Sequence, residues 1–271
     1  MSDNFIHLRT HSEFSLADGL LRVKSSVSRA HEQQMPAIAI TDRNNLYALV
    51  KFQKAAFSNG IKPIYGADIE WVDDEDASNI FTLTLLVQNQ TGYKNLLRLI
   101  SRAYTQGQTT RGVYLTKNWL VDASEGLIAL SGAREGDIGV ALNNGNIEQA
   151  QRSLEYWLKV FPNRFYLDLQ RLGRKGDEEY VAAAVELASQ YAAPVVATNS
   201  CCFLERSDYE AHEVRVCINE GRVLDDPRRE RKHTEEQYLK STEEMAELFC
   251  DIPEALSNAY SIAQRCSVEV E

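Results

Sequence analysis

Along most of this chain, short β-rich apolar runs alternate with longer helical ones, and this alternation limits the fold more than any other feature. PAIAIT (36–41), IKPIYGADIEW (61–71), IFTLTLLVQ (80–88), GLIALSG (126–132), RFYLDLQ (164–170) and APVVATN (193–199) read as buried strands. Stretches 20–35, 45–60, 92–106, 147–161 and 177–192 read as helices between them, Gly60 standing where a C-cap glycine is expected. A strand followed by a helix, repeated about seven times, predicts an α/β fold with a parallel sheet and crossover helices. In 271 residues so many repeats fit a closed barrel better than an open doubly wound sheet. No G-x-G-x-x-G follows the first strand, which removes the main sign of a dinucleotide fold.

Beyond Phe203 the pattern turns helical, in SDYEAHEVRVCINEG, TEEQYLKSTEEMAELF and PEALSNAYSIAQRC. Residues 1–205 are expected to form the barrel, and 206–271 a helical cap leading towards a further part of the chain. SVEVE (267–271), a strand-like alternation with nothing after it, predicts a fragment of a longer protein. No apolar run of roughly 18 residues is present. MSDNFIHLRTH lacks the build of a signal peptide, so the cytoplasm is the expected compartment. Cys201, Cys202, Cys217, Cys250 and Cys266 show no C-x-x-C spacing and read as reduced thiols. The net charge, 29 − 39 = −10, opposes a role as a DNA clamp, because duplex DNA is held by neutralising its phosphates. The basic cluster DDPRRERKH (225–233) reads as a solvated loop.

In a βα barrel the chemistry belongs at the carboxyl ends of the strands. Those positions hold Arg9–His11, Thr41–Arg43, Gly66–Asp68, Thr82–Thr84, Ser131–Ala133 and Asn199–Cys202. The run His7-Leu8-Arg9-Thr10-His11 raises the question of a metal. Alternate residues of a strand share a face, so H-x-H would bring two imidazoles to one ion, but here an arginine interrupts the row.

The segments HLRTHSEFSLADG, AITDRNNLYALVKF, GIKPIYGAD, QTGYKNLLRLISRAY, ALSGAREGDIG, PVVATN and AHEVRVCINEG, in this order, span nearly the whole chain. Together they resemble the PHP (polymerase and histidinol phosphatase) domain, in the form that begins bacterial replicative DNA polymerase III alpha subunits of the gammaproteobacterial type. The resemblance implies a distorted (β/α)7 barrel with a C-terminal helical extension. Active family members hold two or three metal ions, often zinc or manganese, and hydrolyse phosphate esters with a metal-generated hydroxide.

Residue by residue, the family's ligand pattern is altered here. Arg9 stands for the first histidine of H-x-H, with His11 in place. Arg43 stands for the histidine of T-D-H, and Asp68 for a glutamate. Thr82 falls near a further histidine, Ala133 replaces a cysteine or histidine, and the closing D-x-H is Ser200-Cys201-Cys202. His11, Asp18 and Asp68 remain as ligand types, with Cys202 a weak fourth. Guanidiniums cannot deprotonate. At an effective dielectric of about 20, a unit charge about 4 Å from a divalent ion costs roughly 8 kcal/mol. We therefore expect no metal and no catalytic residue at this site. Arg9 and Arg43 are expected to pair with Asp18 and Asp68 instead, since buried carboxylates need cationic partners.

The remaining features have plainer readings. His7 reads as a structural strand histidine and His212 as a packing residue on a helix. Cys201 and Cys202 point to opposite faces of a strand and read as small buried hydrophobes. WVDDEDASN (71–79) suits a hairpin tip and lacks calcium-loop spacing, and GQTTRGV (107–113) suits a loop.

The resemblance implies a domain without a reaction of its own, a scaffold in a longer DNA-synthesising chain whose polymerase body uses magnesium. Its implied partners are that body and the epsilon proofreading exonuclease subunit, with little direct DNA binding and no membrane. The alternative is an active phosphoesterase or pyrophosphatase, which needs the intact H-x-H, T-D-H and D-x-H patterns. A third reading gives Arg9 and Arg43 a phosphate or pyrophosphate to hold.

Overall fold

The β-rich runs pair into one curled sheet in the computed structural model, which describes residues 5–74, 77–226 and 228–270. Residues 1–4 of the amino terminus, Glu75 and Asp76 of the acidic run, Pro227 of the basic cluster and Glu271 of SVEVE lie outside that set. The main strands are β1 (Ala37–Ile40), β2 (Lys62–Val72) and β3 (Ile80–Val87). Three two-residue strands follow, β4 (Gln108–Thr109), β5 (Gly112–Val113) and β6 (Leu115–Thr116). The sheet ends with β7 (Leu127–Leu130), β8 (Phe165–Leu169) and β9 (Val195–Ala197), in the order β1-β2-β3-β7-β8-β9, with β6 beside β2. All six predicted strand runs are strands.

The amino-terminal segment closes the sheet. His7 and Thr10 carbonyls accept from Ala39 and Thr41 on the β1 side, at 2.8 and 2.9 Å. On the β9 side, His11 N donates to the Cys201 carbonyl at 2.8 Å and Cys201 N to that of Arg9 at 3.1 Å. Both outer strands thereby satisfy their edge groups, and the result is a distorted α/β barrel. Both faces of β1, β7 and β8 are buried, which explains their unbroken apolar runs.

The sheet is mixed, not wholly parallel as predicted. β3 runs antiparallel to both β2 and β7. A parallel return needs a crossover of a dozen or more residues, and 73–79 is too short to supply one.

Helices α1 (Val23–Glu32), α2 (Leu49–Ser58), α3 (Gln90–Gln106), α6 (Ile147–Val160) and α7 (Asp177–Tyr191) occupy the predicted stretches. Two short helices, α4 (Lys117–Asp122) and α5 (Asp137–Asn143), add to them. After the barrel come α8 (Tyr209–Glu220), α9 (Thr242–Leu248) and α10 (Pro253–Arg265). The predicted helix over 234–249 is shorter than expected. Ser241 and Glu244 form a capping box that starts α9 only there. Residues 237–239 instead run beside the end of the last strand, Gln237 accepting from Cys202 N at 2.8 Å and Leu239 N donating to Phe203 at 3.1 Å. Helix α10 shares the barrel's core through Ala255, Ala259 and Ile262, all fully buried. Near the end of SVEVE, Val270 exchanges hydrogen bonds with the Gln53 amide, at 2.8 and 3.0 Å.

Candidate functional site

Four elements bring buried charges to one end of the barrel. Arg9 and His11 come from the closing segment, Asp18 from the turn after it, Asp68 from β2 and Asp168 from β8. Strand alternation aims Asp68 inward and keeps it 1% exposed. Arg9 Nε donates to Asp68 Oδ2 at 2.6 Å, and its Nη1 reaches Asp168 Oδ2 at 3.4 Å. His11 Nε2 lies 2.8 Å from the same Asp68 oxygen, and its Nδ1 is 3.2 Å from Asp18 Oδ2. Arg43 Nη2 donates to Asp18 Oδ2 at 2.8 Å, and its Nη1 stands 3.4 Å from Glu70 Oε1. The Thr84 hydroxyl completes the shell of Asp68, donating to Oδ1 at 2.6 Å. Arg9 thus pairs with Asp68, and Arg43 with Asp18. The first pair is sealed from solvent. The Arg43 side chain is 40% exposed, so its pair is the weaker.

Burial opposes charge on each of these acids. At Asp68 the charge of Arg9 and the bond from His11 outweigh it, holding the carboxyl well below its usual range. At Asp18 the charges of Arg43 and His11 do the same. Those carboxylates in turn lift His11 well above an ordinary imidazole against the pull of burial. At Asp168 burial wins over the longer contact with Arg9, and the carboxyl is pushed up to about 6.

Asp168 therefore makes a pH-dependent difference. Its folded value lies above its unfolded one, so its contribution favours the fold at low pH and is lost as pH rises from about 4 to about 6. In Asp168→Asn that loss should be absent. The variant's unfolding free energy should gain about 2 kcal/mol on the parent between pH 4 and pH 7, measured by urea denaturation at each pH. A constant difference across that range would refute the assignment.

The cavity above these groups holds about 560 Å³. Arg9, His11, Arg43 and Asp68 line it, together with Arg231 and His233 of the basic cluster. The basic cluster is thus not simply a solvated loop, as its composition suggests. Glu230 to His233 fold over the barrel mouth, and Arg229 is anchored by an ion pair with Glu213 of α8 that is 2% exposed on both sides.

A multinuclear metal cluster does not fit these residues. Asp68 Oδ2 and Asp18 Oδ2 already accept from guanidiniums and contact His11. Arg9 is committed to Asp68 and Asp168, and Arg43, although more exposed, is paired with Asp18 and Glu70. Ala133 and Ser200, both ligand positions in the resemblance, present no ligating imidazole or carboxylate, yet each keeps a left-handed backbone, φ 50° and 46°. That conformation costs roughly 1–2 kcal/mol for a residue with a Cβ.

Thr82 lines the cavity, but the threonine that bonds Asp68 is Thr84, two residues on. Sequence reasoning missed Asp168, whose Oδ1 accepts from Thr198 at 2.7 Å. A lone acid inside the apolar run FYLDL was the available signal, since unpaired buried acids are rare. His7 is structural: its Nε2 meets the Lys240 carbonyl at 2.8 Å, and burial lowers it to about 4.

Fold and site together define an α/β barrel whose strand-end centre is built from buried arginine–carboxylate pairs. The chain belongs to the PHP domain family, which matches residues 7–172. It is 52% identical over its full length to the DNA polymerase III subunit alpha of Pseudomonas aeruginosa, and 48% identical over 98% of its length to that of Escherichia coli K12. In both cases the chain spans 23% of the relative's length. A solved amidohydrolase from Chromobacterium violaceum, holding sulfate and no metal, aligns with a TM-score of 0.49 at 13% identity, over 78% of this chain and 96% of that one.

Proposed function

We propose that this chain is the amino-terminal PHP domain of a bacterial DNA polymerase III alpha subunit, silent as a hydrolase and working as a scaffold for replication. The observation that carries this reading is the sealed pair of Arg9 and Asp68, which sets a permanent cation where the family pattern has a metal ligand. A fixed guanidinium satisfies the buried carboxylate without supplying the hydroxide that phosphoester hydrolysis needs. Identity of 52% along the whole chain supports membership of the polymerase subunit. The polymerase body of the same chain would hold the magnesium and carry DNA synthesis. The acidic balance of −10 suits contact with protein more than with DNA, and the epsilon proofreading exonuclease is the partner. No helix of the described residues is long and apolar enough to cross a membrane, and a cytoplasmic replicase accords with that.

Two measurements on the 271-residue chain test this. Sedimentation velocity should show a complex with the epsilon subunit. Incubation with a phosphate monoester and manganese or zinc should release no phosphate above a protein-free control. Turnover that Asp68→Asn abolishes would establish the phosphoesterase reading instead.

A further inference from the structure

Buried polar atoms without a hydrogen-bond partner are rare and need a reason. Among the described residues, three of them, Asp18 Oδ1, His212 Nδ1 and His233 Nδ1, belong to side chains gathered about Cys202. His212 is fully buried on α8. Its Nε2 lies 2.7 Å from the Asp18 carbonyl, which can only accept, so Nε2 carries the proton and Nδ1 the lone pair. The Glu213 carboxylate, 3.8 Å from Nδ1, is too far to satisfy it. His233, on the segment folded over the mouth, brings a second imidazole, its ring centroid 4.7 Å from that of His212. The ligating atoms of Cys202, His212 and His233 all lie within 4.8 Å of one another. Around a tetrahedral zinc ion such atoms stand roughly 3.5 Å apart, so a small closure would complete the set.

We propose that Cys202, His212 and His233 form a mononuclear site for a thiophilic divalent cation, zinc by ligand chemistry, which pins α8 and the segment through His233 to the end of the last barrel strand. A thiolate with two imidazoles selects zinc or cobalt over magnesium or manganese. The Asp18 carbonyl acts as the outer group that fixes the His212 tautomer, as such partners do around bound metals. Cys202 and His233 both face the cavity, from which water can supply the fourth ligand. The charges of the two guanidiniums are offset by their ion pairs with Asp68 and Asp18, whose oxygens this set does not use, and the Cys202 thiolate would offset that of the ion. His212 and Cys202 thereby acquire a use beyond packing. Three protein ligands and a water make an open coordination, and the ion would join three separate segments of the chain.

The test is titration of the metal-stripped chain with cobalt and then zinc. About one cobalt per chain should bind, with a thiolate-to-cobalt charge-transfer band in the near ultraviolet that zinc abolishes. Cys202→Ser should lose the band and Cys201→Ser, one residue away, should keep it. His233→Ala, on the partly exposed segment, should weaken binding by at least about 100-fold, and it decides the matter if Cys202→Ser does not fold. A parent chain without the band, or a band of undiminished affinity in His233→Ala, would overturn the site.

Discussion

Replacing Arg9 with methionine should lower the unfolding free energy by about 3–5 kcal/mol, the cost of leaving a buried carboxylate without its cation. Arg9 is 5% exposed and its partner Asp68 1%, so water cannot take over the lost hydrogen bond. Asp168, wholly buried, loses its ion pair with Arg9 in the same step. His11 would still touch Asp68, but it is shared with Asp18. Methionine keeps most of the volume, so the loss is electrostatic and not a cavity. Adding Asp68→Asn should recover most of it, because the amide can still accept from Thr84 and carries no charge. Urea denaturation of the parent, both single variants and the double variant gives the full cycle. A single-variant loss under about 1 kcal/mol, or no recovery in the double, would mean that the pair does not organise the site.

Trp157→Ala should cost a similar amount, about 3–5 kcal/mol, for a different reason. Trp157 projects from α6 into the barrel wall with no exposed surface. Its ring meets Trp71 of β2 edge-on at 5.3 Å and lies parallel to Phe165 of β8, with centroids 6.3 Å apart. It thus joins a helix to two strands that are not neighbours in the sheet. The indole Nε1 also donates to both oxygens of Asp137, at 3.1 and 3.0 Å. Burial holds the Asp137 carboxyl above its usual range even with that donor, so removing the donor leaves a costly buried acid. Trp157→Phe separates the two effects. It keeps most of the packing and should cost only about 1–3 kcal/mol, that of one unsatisfied acceptor. Equal losses in the two variants would show that the hydrogen bond, not the ring stack, dominates.

Much of this architecture is legible in local pattern. The runs of β1, β7 and β8 are strands because their β-branched and apolar residues suit a sheet buried on both faces. The reversed β3 could have been read from its seven-residue connector, 73–79, but repetition of a strand–helix pattern suggested parallel strands throughout. Residues 234–240 carry helix-forming glutamates and a lysine, yet 234–237 make only a turn and 237–239 run beside Cys202 and Phe203, because the hydrogen bonds offered there outweigh a modest helix propensity.

Site chemistry divides along the same line. Residue types alone made Arg9 and Arg43 incompatible with a cluster of cations, since no fold can deprotonate them. Which carboxylate each arginine meets was settled by barrel closure, which sets residue 9 beside residues 68 and 168. Closure also turned Asp168 from a strand residue into a member of the charged centre, and a folded-back loop carried His233 towards Cys202 and His212. The physical reason is range. Side-chain periodicity and charge act within a few residues of chain, whereas partners scores or hundreds of positions apart are chosen only once the sheet has curled and every buried polar group must find its complement.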